Sequence, residues 1–166
     1  LLDQSARHHH NHLCPRQVLG VRIGMFAAEL FALDLPQADK RLYAFVETDG
    51  CLVDGIAVVT GCSIGRRTMR VIDYGKSAAT FVDTVTERAL RITPTRESRT
   101  RAIEYAPNAP DRWHAQLAAY QIMPAAVLLC AGKCSPARMR LRESGVITAC
   151  RATSPPGPPV TAAVAV

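Results

Sequence analysis

Several signatures that would name a reaction outright are missing from this sequence. It has no dinucleotide-binding glycine fingerprint, no Ser/His/Asp pattern and no paired-carboxylate signature, so no substrate is legible from its residues. No apolar run is long enough to span a bilayer, which excludes a transmembrane helix. The polar, His-rich opening lacks the pattern of a secretory signal, and a cytoplasmic location is expected. Aromatic residues make up only 5% of the chain and none is interleaved with the arginines. A base-stacking platform for single strands needs that interleaving, so nucleic acid is not the expected partner.

The formal charge of +6 does not alter this. Residues 1–85 balance nine basic against nine acidic side chains, whereas residues 86–166 carry eleven against five. The surplus belongs to one Arg-rich half and reads as a solvated surface. With 166 residues, 48% hydrophobic and 20% charged, the chain suits one globular domain with a core of its own.

The apolar positions Leu19, Ile23, Phe26, Ala27, Leu30 and Phe31 recur at helical spacing. They predict a helix over 15–33, with Pro15 at its first position, where a missing N–H costs nothing. Residues 42–48 are rich in strand formers and end at Asp49 and Gly50. A second helix follows over about 51–60, with Gly61 as its stop. Residues 68–74, 78–82 and 88–93 read as strands, and 95–105 and 111–120 as helices. The fold class is α+β: a long N-terminal helix packed on a mixed β-sheet, with further helices. After Pro124 the character changes. Cys130, Cys134 and Cys150 are followed by Pro155, Pro156, Gly157, Pro158 and Pro159 and an Ala/Val tail, which cannot continue a helix or a central strand.

What the chain has is cysteine: Cys14, Cys51, Cys62, Cys130, Cys134 and Cys150. Without an export signal these favour metal binding or thiol chemistry over disulfides. His10, His12 and Cys14 alternate along a short stretch before the first helix, with His8 and His9 beside them. Imidazole and thiolate are what zinc and other divalent transition metals prefer. Cys14 falls where a helix N-terminus favours a thiolate. Against this stands the plainer view of a flexible His-rich leader. Cys51 lies at a strand–helix junction, where a lone cysteine is more often structural. Cys62 lies in Thr60-Gly61-Cys62-Ser63-Ile64-Gly65, whose spacing is not that of a P-loop.

Helix length constrains the set. At ~1.5 Å per residue, Cys51 and Cys62 are about 16 Å apart along the second helix and cannot share an ion within one protomer. The expected ligands are therefore His12, Cys14 and Cys51, with His10 and Cys62 as weaker candidates and Cys62 acting only from a second protomer. Three protein ligands leave an open position, as catalytic zinc sites do.

Two groups of residues add a resemblance. His10-Asn11-His12-Leu13-Cys14-Pro15 with Leu19-Gly20-Val21-Arg22-Ile23-Gly24 resembles the opening of the E-subunit family of formylmethanofuran dehydrogenase. Glu47-Thr48-Asp49-Gly50-Cys51-Leu52-Val53-Asp54, Thr60-Gly61-Cys62-Ser63, Asp73-Tyr74-Gly75-Lys76 and the stretch from Ala109 to Pro124 resemble its later motifs in order. The resemblance covers residues 8–124, and 125–166 then reads as a degenerate or truncated C-terminal region with a Pro-rich tail. It implies an α+β core with a His/Cys metal site, assembly as a homodimer, and Asp49 and Lys76 lining the pocket beside Cys51 as candidate catalytic residues. It also implies a protein partner in a larger enzyme complex. Two departures stand out. Asn11 and Arg16 replace glycines common in the family, and Arg16 brings a cation to the site. The family's C-terminal zinc finger is not matched, because Cys130 and Cys134 have the wrong spacing and Cys150 has no following partner; a site of these three completed by His114 is the weaker alternative. The expected function is a zinc-binding protein acting on a small substrate, or else a non-catalytic accessory protein or metal carrier.

Overall fold

The computed structural model describes residues 13–134. Helix α1 spans Pro15–Phe31. Cys14 is its N-cap, accepting from the Gln17 N–H through both its carbonyl at 3.0 Å and its sulfur at 3.4 Å. The helix stops two residues before the expected Leu33 because Ala32 turns left-handed and returns its N–H to the last carbonyls. Strand β1 (Leu42–Val46) leads into helix α2 (Cys51–Thr60), which ends at Gly61 as its spacing predicts. Strands β2 (Met69–Val71), β3 (Ala79–Asp83) and β4 (Arg88–Pro94) follow. After them come helices α3 (Ser98–Tyr105), α4 (Arg112–Ile122) and the single turn α5 (Ala125–Leu128), and finally strand β5 (Leu129–Cys134).

The sheet order is β2-β1-β3-β4-β5. β1 and β2 are parallel, joined through α2, and every other pair is antiparallel, so the sheet is mixed and the class is α+β. Alternation along the strands divides the faces. Leu42, Ala44 and Val46 with Phe81, Leu90 and Ile92 join the core, together with Val18, Ile23 and Ala27 of α1 and Leu52 and Ile56 of α2. The opposite face carries Phe45, Thr80 and Arg91, which are register neighbours across three strands.

β5 lies in a stretch where the residue pattern predicts no element. Its three exposed residues fall in a row, Ala131, Gly132 and Lys133, rather than alternating with buried ones, so periodicity is silent there. Backbone pairing with β4, from Ala89 with Cys134 to Pro94 with Leu129, makes it a strand. The sheet thus continues beyond Pro124. Helix α3 begins later than expected because Thr95 is held at the end of β4. Its N–H donates to the Leu128 carbonyl at 2.9 Å and its hydroxyl to that of Val127 at 2.8 Å.

A glycine seam joins α1 to α2. A Cβ at Gly20 would sit 2.3 Å from the Leu52 carbonyl oxygen, and one at Gly55 would sit 2.4 Å from that of Gln17 and 2.8 Å from the Val21 nitrogen. Further along, Gly24 abuts Val59 and Thr60. Contacts that advance together on both helices mean the two run parallel. Their N-termini therefore start side by side.

Candidate functional site

The seam brings two sulfurs together. Cys14 caps α1, Cys51 is the first residue of α2, and the two thiols hydrogen-bond to each other. Both are half-buried and neither is in a disulfide. Burial pushes the Cys51 thiol up from its ordinary value, and its hydrogen bond and electrostatic coupling to Cys14 add to this, as does Asp54. Gly50, just before Cys51, has φ +79°, a conformation that L side chains rarely adopt. That backbone turn leads β1 sharply into α2.

The loop before Cys51 is anchored at Glu47. The Glu47 carbonyl accepts the N–H groups of Tyr74 at 2.9 Å and Lys76 at 3.1 Å, and its own N–H donates to Ala78. Its carboxylate forms a two-pronged pair with Arg91, Nε at 2.5 Å and Nη2 at 2.7 Å. The 47–54 and 73–76 motifs, separate in sequence, thus meet at one peptide unit. Asp73 closes its own turn by accepting the Gly75 N–H at 2.7 Å. Asp49 and Lys76 are both exposed on these loops.

Cys62 lies apart from the pair. It is 2% exposed at the far end of α2, and its thiol donates to the Leu42 carbonyl at 3.3 Å, with burial as the main cause of a raised pKa. Cys130 contacts the Thr93 hydroxyl at 3.0 Å. Four residues further along β5, about 13 Å at the rise of a strand, Cys134 cannot share an ion with it. His114 is engaged by Asp111, Nδ1 to Oδ2 at 2.8 Å. His10, His12 and Cys150 lie outside the described residues, and among those described no group of three or more His, Cys, Asp or Glu is placed to hold a metal. Of the expected ligands, then, the structure brings Cys14 and Cys51 together and leaves Cys62 elsewhere. Residue chemistry alone did not single out Gly20, Gly24 and Gly55. The four-residue spacing of the first two was the available signal, since it puts small residues on one helix face.

The family model described as FmdE, molybdenum formylmethanofuran dehydrogenase operon, matches residues 9–129. A probable S-adenosyl-L-methionine-binding protein of Archaeoglobus fulgidus is 36% identical over 80 residues, 46% of this chain. The chain covers only 22% of that curated relative's length. Among solved structures, an FmdE-like protein of tungsten formylmethanofuran dehydrogenase from Syntrophus aciditrophicus is similar with a TM-score of 0.54 and 22% identity. That likeness covers 93% of this chain and 83% of the other, and it is one of fold. No helix among the described residues is long and apolar enough to cross a membrane.

Proposed function

The chain belongs to the FmdE family, and on that premise we propose that Cys14 and Cys51, with His12 as third ligand, hold a divalent transition metal, zinc first among them. The observation that carries this reading is the hydrogen-bonded thiol pair at two adjoining helix starts. Two sulfurs in contact suit a thiophilic ion, and an imidazole two residues before Cys14 completes a set that zinc accepts. Bound there, the metal supplies Lewis-acid chemistry to a small ligand at its open position. The protein's own part is to hold the thiols at a fixed spacing. Asp49 and Lys76, on loops tied to Glu47, are the candidates for orienting that ligand or moving a proton. The same reading takes the chain as a homodimer that serves as an accessory component of a larger enzyme, in keeping with the operon named by its family.

The test is elemental analysis of untagged protein after zinc loading and dialysis. About one ion per chain is expected. Cys14→Ser and Cys51→Ser should each weaken retention at least ~10-fold, since each removes a ligand rather than a supporting contact, whose loss alone typically weakens affinity 10–100-fold. Cys62→Ala should retain the ion, because that thiol is bonded elsewhere. Stoichiometric zinc in both Cys14 and Cys51 variants would end the proposal.

A further inference from the structure

A cavity of about 80 Å³ lies against the start of α1, and the metal reading makes no use of it. That is well above the ~10–15 Å³ needed to hold one water, enough for a small oxyanion or its equivalent in solvent. Its walls begin two helices: Pro15 and Arg16 open α1, and Ser98 and Arg99 open α3. Ser77 and Tyr120 add hydroxyls to the lining.

The charge of this wall is one-sided. Arg16 and Arg99 both line the cavity, and no carboxylate does. Neither arginine forms an ion pair with a described residue, whereas Arg41, Arg91 and Arg101 each have an acidic partner. Ser98 and Tyr120 are 2% and 3% exposed, and the Tyr120 hydroxyl donates to Gln116 Oε1 at 3.4 Å. Glu97, the N-cap of α3, makes no side-chain cap bond. The first turn of that helix therefore adds its positive end without a capping carboxylate.

We propose that this cavity is an anion-binding pocket, which takes the phosphate or carboxylate group of a small ligand between Arg16 and Arg99. Two guanidinium groups on an acid-free wall match the oxygens of either group. Arg16 is two residues from Cys14, within about 7 Å along the chain, so the pocket adjoins the helix start that Cys14 caps. The pocket needs no metal, and its fate is separate from that of the metal site.

The experiment is calorimetric titration of the metal-stripped full chain with inorganic phosphate and, separately, with acetate. Saturable binding is expected, weakened about fivefold by Arg16→Gln or Arg99→Gln and more than tenfold by the double variant, the loss of charge-assisted hydrogen bonds tempered by exposure. Arg99→Lys should restore part of it. Tighter phosphate binding assigns the ligand class to phosphate esters, and tighter acetate binding to carboxylates. As an independent readout, iodoacetate should alkylate Cys14 or Cys51 faster than neutral iodoacetamide does, relative to free cysteine, and the double variant should abolish that preference. Both arginines are exposed, so thermal unfolding should be unchanged. Binding that is absent at millimolar phosphate and acetate, or equal in wild type and double variant, overturns the pocket.

Discussion

Gly55→Ala is expected to lower unfolding free energy by about 2 kcal/mol and to separate the two thiols. Two effects oppose each other. Alanine in a helix interior is favoured over glycine by about 1 kcal/mol. The new methyl would meet the Gln17 carbonyl oxygen at 2.4 Å and the Val21 nitrogen at 2.8 Å. Both are backbone atoms of α1 and cannot rotate away. Overpacking of this kind costs about 3 kcal/mol at the upper end of its usual range, so the clash wins. Denaturant unfolding should show the loss, with a fall in Tm of roughly 8 °C for a domain of this size. Gly65→Ala is the control, since nothing lies within 4 Å of a Cβ there. The second readout is the yield of a Cys14–Cys51 crosslink under mild oxidation, which should drop in the Gly55 variant. Unchanged stability and crosslinking would mean that the helices do not depend on this seam.

Asp83→Ala should be costlier still, about 3 kcal/mol. Asp83 is fully buried at the end of β3 and accepts from Arg41 Nε and Nη2, both at 2.9 Å, from the Thr86 hydroxyl at 2.8 Å and from the Val85 N–H at 3.0 Å. Removing the carboxylate strands four donors. The penalty falls at the lower end of the ~3–5 kcal/mol for breaking a buried pair, because Arg41 is 31% exposed and water can reach it. The pair also sets a pH dependence. The Arg41 hydrogen bond holds the Asp83 carboxyl well below the usual carboxylate range. A lowered folded-state pKa contributes stability that is fully present above the unfolded value of about 4 and is lost as pH falls below it. Wild-type stability should therefore drop on acidification from about pH 4, and Asp83→Asn should flatten that slope. Parallel acid-unfolding curves for the two proteins would contradict this role.

Much of the fold was legible because its elements announce themselves locally. The period of Leu19, Ile23 and Phe31 marks α1, and Gly61 ends α2 where a left-handed cap is needed. β5 was not legible, since its stability comes from pairing with β4 rather than from its own composition. The start of α3 was obscured for a related reason: Thr95 is claimed by carbonyls more than thirty residues away. At the site, helix length already separated Cys51 from Cys62, and the structure shows Cys62 bonded to Leu42 at the other end of α2. The nearness of Cys14 and Cys51 has another origin. It depends on how closely two backbones approach, which glycines permit but do not advertise. The acid-free pocket is likewise a tertiary fact, assembled from helix starts more than eighty residues apart.

The parallel seam also sets short lever arms for the two sulfurs. Cys51 is four residues from Gly55 and Cys14 six from Gly20, arms of about 6 and 9 Å at helical rise. One degree of scissoring at the seam then moves a sulfur by about 0.1–0.16 Å over such arms. Metal–ligand distances tolerate about ±0.2 Å, so a change of a degree or two spans the useful range. Seam substitutions graded in size would open the sulfurs step by step, turning crossing angle into a dial for what the two thiols can jointly grip.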